Sequence, residues 1–246
     1  MIDFPAAHSL AAALFGLLSP EEFAALHLSI LVALTAVAAS LPAGIALGWL
    51  MARRDFVGKS LVETAINLPL VMPPVVTGYL LLVFLGRRGW VGASLERWFA
   101  LRLVFTWIAA ALASAVMAFP LMVRAIRLAF SAVDTRLELA ARTLGAGRVD
   151  TFFSVSLPLA RHGVLAGALL AFGRSMGEFG ATIMVAGNIP GETQTVPLQI
   201  YSMLESPGGV ERAARMVVMA ILVSVAALAA GELLERRGRA KLAGRG

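Results

Sequence analysis

DTRLELAARTLGAGRVDTFFSVSLPLAR, residues 134–161, is the longest stretch of this chain without an apolar run of membrane length, and it lies between two segments that have one. Its residues predict two short helices joined by a tight bend. Asp134 can cap the orphan amides of a helix starting near Thr135. Leu137, Ala140, Ala141 and Leu144 then share one helical face at i, i+3, i+4 and i+7. The two alanines keep that face shallow, so another surface can come close. Gly145 follows the last periodic residue, where a left-handed cap favours a residue without a Cβ. Gly147 loosens the bend, Asp150 can start the next turn, and Pro158 limits a regular helix through Leu157. Such a stretch reads either as an ordinary cytoplasmic loop helix or as a surface held at the membrane and offered to a soluble partner.

The flanks place it in a membrane protein. The chain has 246 residues, 59% hydrophobic and 15% charged, with a mean hydropathy of +0.83. Soluble domains rarely reach that apolarity. Apolar runs of roughly the 20 residues that cross a bilayer recur along it. The absence of cysteine excludes disulfides and thiolate metal ligation. His8, His27 and His162 are scattered without ligand spacing, so neither a metal nor a bound cofactor is expected. The formal charge of +6 could suit nucleic acid, but the positive residues border apolar spans. That is a topology pattern, and no nucleic-acid partner is expected.

Residues 1–27 carry no Lys or Arg, so they make no secretory signal; they read as an outer segment with an interfacial helix over 6–18. Ser19-Pro20-Glu21-Glu22 has the composition of a helix start. Spans are predicted over 28–51, 65–85, 102–123, 163–186 and 216–232. The second opens on NLPLVMPPVVTGY (67–79), where Pro69, Pro73 and Pro74 remove amide donors and demand a kinked or broken entrance. The fourth carries Arg174 and Glu178, four apart near its middle, either as a packing pair or as the lining of a water-filled path. An outer segment, 188–215, has room for a short helix over 195–205. The tail, 236–246, is basic and suits anionic lipid. Fourteen of the 21 Lys and Arg residues fall on the side of Arg53-Arg54, six on the other side, and Arg174 within the membrane. The bias predicts the N-terminus outside and the C-terminus in the cytoplasm. The fold class is all-α: one polytopic bundle of about five spans covering 1–246.

Residues 134–161 resemble the "EAA loop" of ABC-importer permeases, whose pattern is E-A-A, three residues, G, nine residues, I, one residue, L-P. Here Ala140-Ala141 are followed at that spacing by Gly145, then by Val155, and by Leu157-Pro158. The family's glutamate falls on Leu139, with Glu138 beside it. NLPLVMPPVVTGY and GRSMGEFGATIMVAGNIPGETQTVPLQIY (173–201) extend the resemblance to nearly all of the chain from about Leu28, and it is nearest to molybdate permease subunits. The resemblance implies a type I ABC-importer permease fold in the cytoplasmic (inner) membrane. It implies a second copy of the chain, two ATPase subunits on the cytoplasmic face and an oxyanion-binding protein outside. Coupling to the ATPase would fall to Glu138, Ala140, Ala141, Gly145, Leu157 and Pro158. The chain has no G-x-x-x-x-G-K-[ST] loop and no catalytic constellation, so ATP would be used by the partner. A tetrahedral dianion such as molybdate or tungstate can be eased through by amides and hydroxyls, which makes Ser175, Thr182 and Asn188, with Arg174 and Glu178, the candidates for the path. A sulfate or other oxyanion permease is the near alternative, and an ATP-independent membrane enzyme or scaffold the distant one.

Overall fold

A computed structural model describes residues 18–243, and among these the regular elements are all helices. The first, α1 (Pro20–Arg53), starts as its sequence dictates. Ser19 Oγ accepts from the Glu22 amide at 3.3 Å, Glu22 Oε2 accepts from the Ser19 amide at 2.7 Å, and proline fills the first turn. The start is continuous with the first span, so the helix begins at Pro20 rather than at the expected 28. Glu22 is buried there, with Arg215 at 3.4 Å from its carboxylate.

The core forms around α5 (Trp107–Ser131), which packs between α1 and α8 (Leu157–Met176). Two G-x-x-x-G pairs, Gly44/Gly48 and Gly163/Gly167, allow this approach. A Cβ on Gly48 would lie 2.7 Å from Ile126 Cγ2, and one on Gly167 would lie 3.0 Å from Ile126 Cγ1. Ile126 is fully buried between them. Because α5 continues to Ser131, Arg124 and Arg127 lie within it rather than beyond an end at 123. They reach across to α2 (Lys59–Val71), where Arg124 donates to Asn67 at 2.7 Å and Arg127 pairs with Glu63 at 2.8 Å. The guanidinium groups are long enough to leave the apolar stem in place and find partners, so charge does not end the helix.

The proline-rich segment is broken, though not where a single span over 65–85 requires. Pro69 is accommodated inside α2, and the interruption falls at Met72-Pro73. There α2 and α3 (Pro74–Leu85) meet at a bend of 111°. Between the expected second and third spans lies α4 (Trp90–Phe99). Glu96 on α4 accepts from Arg87 and Arg102, and the hydrogen bond from Arg87 is the main cause holding its carboxyl below the usual range.

The expected fourth span is also corrected at both ends. Helix α7 (Arg148–Thr151) runs through a π-turn (Phe152–Ser156) straight into α8, so the continuous helical stretch that can cross runs from Arg148 to Met176. Pro158 does not interrupt it. Within the first turn of α8 it lacks only an amide that the wider π-turn leaves unused. Gly177 to Phe179 break the chain before the short α9 (Gly180–Ala186). The short helix expected over 195–205 is found as α10 (Val196–Leu204), and α11 (Gly209–Ala243) starts before the predicted span at 216. Among the described residues four helical stretches are long and apolar enough to cross a membrane, and the bent α2–α3 pair makes a fifth crossing if its arms count as one. That agrees with about five spans. The interfacial helix expected over 6–18 lies, up to residue 17, outside the described residues, as do the last three residues of the basic tail.

Candidate functional site

Two regions collect the residues singled out by sequence. The first lies where α1 and α5 end and the fourth crossing begins. There α6 (Thr135–Thr143) is capped as expected, with Asp134 Oδ1 accepting from the Arg136 amide at 2.8 Å. Gly145 has φ +97°, and the Ala146 amide closes the helix end on the Ala141 carbonyl at 3.1 Å. No residue of α6 is buried.

The faces of α6 differ from the periodicity argument in one respect. Leu137, Leu139, Ala140 and Leu144 are exposed, but Ala141 is half-buried. Leu139, in the place of the family glutamate, is 58% exposed. Glu138 points the other way. Its Oε1 lies 2.9 Å from Arg53 Nη2 and accepts from Ser156 Oγ at 2.7 Å. The same Arg53 Nη2 donates to the Val133 carbonyl at 2.8 Å. Leu157 packs into the cluster around Phe130 and Ile126, while Pro158 is on the surface at the foot of α8. Ala140 and Gly145 therefore belong to the exposed segment, whereas Glu138 and Leu157 attach it to the bundle.

The second region is the break after α8. Arg174 Nη1 lies 2.7 Å from Glu178 Oε2, a close ion pair outside hydrogen-bond alignment. The Arg174 side chain is 27% exposed and that of Glu178 is 1%. Glu178 is beyond the end of α8, so the pair spans the break rather than sharing one helix face, and it stands at the end of the crossing rather than near its middle. Glu178 Oε1 also accepts from the Ala181 amide at 2.8 Å and so starts α9. Ser175 is buried with its hydroxyl unpartnered. Thr182 Oγ1 is consumed locally by the Phe179 carbonyl at 2.9 Å. Asn188 belongs elsewhere: its amide donates to Ser202 Oγ at 2.7 Å and accepts from Gln194 at 2.9 Å, which fixes the loop before α10. Arg174, Ser175, Glu178 and Thr182 are brought together at the break, and Asn188 is not.

Sequence reasoning missed that the two interruptions meet. A Cβ on Gly78 would lie 2.6 Å from the Ala181 carbonyl oxygen and 2.8 Å from Met184 Cβ, and one on Gly180 would lie 2.9 Å from Pro74 Cβ. Proline on one segment and glycine on the other were visible signals, but their pairing was not. It also missed Arg53 and Ser156 as partners of Glu138. A groove of about 630 Å³ opens beside the break, lined by Gly173, Gly177, Phe179, Tyr201 and Ile221 among others. Its wall is mostly apolar.

Residues 44–240 match the family described as "Binding-protein-dependent transport system inner membrane component". The chain is 51% identical over 223 residues to the molybdenum transport system permease protein ModB of Escherichia coli K12, covering 91% of this chain and 97% of that one. It is 44% identical over 186 residues to a putative molybdenum permease, YvgM, of Bacillus subtilis, covering 76% and 82%. A sulfate transport system permease protein, CysW, of Synechocystis is 34% identical over 216 residues, covering 87% and 76%. Among solved structures, a bacterial alginate ABC transporter in complex with its alginate-bound periplasmic protein superposes with a TM-score of 0.72 at 17% identity, covering 92% and 81%. An amino acid ABC transporter gives 0.63 at 19% identity, covering 96% and 99%. At those identities the likeness speaks to the fold, which is that of these transporters' permeases.

Proposed function

We propose that this chain, which belongs to the family of binding-protein-dependent transport system inner membrane components, is the permease subunit of a molybdate importer. The observation that carries the reading is the 51% identity to a molybdenum permease over nearly the whole of both chains. Sulfate permeases match at lower identity, so sulfate is the second reading for the cargo, and tungstate is the natural companion of molybdate. Two copies, two ATPase subunits and an outer oxyanion-binding protein complete the assembly. The test is ATP-driven uptake into vesicles holding the chain, its ATPase and its binding protein. Molybdate should be taken up in preference to sulfate. Preference for sulfate would overturn the cargo, and failure of any ATPase to co-purify would overturn the permease reading.

The exposed side of α6 serves as the docking surface for the ATPase. Its shallowness at Ala140 and its termination at Gly145 are the features that matter. Ala140→Glu should insert normally yet lose the ATPase on purification, because it places bulk and charge on the docking side. Gly145→Val should also lose transport. A β-branched residue at φ +97° costs about 1–2 kcal/mol or more and redirects the chain. Gly145→Asn, which tolerates that region, should retain most uptake. Full uptake by Ala140→Glu with the ATPase still bound would remove α6 from the coupling role.

The bias of Lys and Arg toward the side of Arg53-Arg54 favours an orientation with the N-terminus outside and the C-terminus in the cytoplasm. With no native cysteine, single substitutions read this directly. Cysteine at the exposed Ser94 on α4 should label with an impermeant thiol reagent from outside, and cysteine at the exposed Ser60 on α2 should not. The opposite pattern would invert the orientation.

A further inference from the structure

The helix that meets the ATPase has almost nothing to hold it. It is nine residues long and buries none of them, and an isolated helix of that length is unstable in water. What ties its middle to the bundle is one carboxylate oxygen. Glu138 Oε1 receives Arg53 Nε at 3.1 Å, Arg53 Nη2 at 2.9 Å and Ser156 Oγ at 2.7 Å. These partners come from the end of α1 and from the π-turn leading into α8. Arg53 is further fixed by the Val133 carbonyl, just before α6 begins. The Arg53 and Glu138 side chains are only 10% and 18% exposed, so water competes weakly for the contact.

We propose, resting on the docking role of α6 given above, that Glu138 is a positioning residue rather than an ATPase contact. Arg53, Glu138 and Ser156 form an internal latch that makes α6 move as one body with the first and fourth crossings. The outward contact at this register is then apolar, made by Leu139, and the facing part of the ATPase cleft should lack an arginine or lysine waiting for an acid. The acid displaced by one position along the helix turns by about 100°. That rotation takes it from the docking side to the bundle side.

A cut latch should leave the ATPase bound but slipping. In vesicles carrying the full complex, Glu138→Ala and Arg53→Ala should each keep the ATPase through purification and keep its ATP hydrolysis. Molybdate moved per ATP should fall about tenfold, in line with losing a charge-assisted contact. The double variant should be no worse than either single one, since both remove the same contact. Ser156→Ala should give a milder fall of the same kind, and it serves as the readout if either charge variant fails to accumulate. Leu139→Glu should instead release the ATPase. Loss of the ATPase from Glu138→Ala but not from Arg53→Ala would overturn the latch and make Glu138 a direct contact. Unchanged coupling in Glu138→Ala and Ser156→Ala would overturn it as well. If Leu139→Glu keeps both the ATPase and full uptake, the docking role of α6 itself falls, a result distinct from failure of the latch.

Discussion

Arg174→Ala is expected to destabilise the protein more than the double change Arg174→Ala with Glu178→Ala. The asymmetry of burial is the reason. Glu178 is almost entirely removed from solvent, whereas Arg174 keeps part of its guanidinium accessible. Removing the arginine leaves a buried carboxylate with the Ala181 amide as its remaining partner. Breaking a buried pair from one side costs about 3–5 kcal/mol, and the partial exposure of Arg174 puts this case near the lower end. Removing both charges forfeits the start of α9 but strands nothing. Glu178→Gln should be the mildest, since its carbonyl can still accept from Ala181. Thermal unfolding of the detergent-solubilised variants, read alongside the amount recovered from the membrane, gives the ranking. Equal stability of the single and double variants would mean that water reaches Glu178 and that the pair lines an open path.

Gly78→Leu should abolish uptake and sharply lower the amount of folded permease. At Gly78 a Cβ meets the backbone of Ala181 from below 3 Å, and backbone cannot swing aside as a flexible side chain would. The bent α2–α3 pair must then move away from α9. Overpacking of this kind costs about 1–3 kcal/mol, and more where both sides are backbone. Here the added cost is the loss of packing between the two broken segments. Gly78→Ala should show the same direction with a smaller loss. Gly173→Ala is the matched control on the neighbouring crossing, because a Cβ there meets nothing within 4 Å. It should be tolerated, with a small gain in helix propensity of about 1 kcal/mol. If Gly78→Leu and Gly173→Ala behave alike, the contact between the two interruptions is not what holds this part of the permease together.

The same two regions show how far the chain can be read in one dimension. Asp134, Gly145 and the Ser19–Glu22 box act within a turn of themselves, and each is found doing what its residue type requires. The number of crossings follows from apolar length, and the family from the spacing of Ala140-Ala141, Gly145 and Leu157-Pro158. The ends of the spans were harder. Arg124, Arg127 and Pro158 look like terminators in sequence, but each has a remedy supplied by a distant or wider element: Asn67, Glu63 and the π-turn.

Local chemistry and apolar length thus determine the helical class, the membrane setting and the local structure around α6, because those properties depend on neighbours within a few residues. Which way Glu138 faces was decided otherwise, since Arg53 lies 85 residues away and no periodicity links them. The meeting of Gly78 with Ala181, and of Gly180 with Pro74, is likewise a property of packing: two segments broken for local reasons are set against each other only when α5 has gathered the crossings around Ile126.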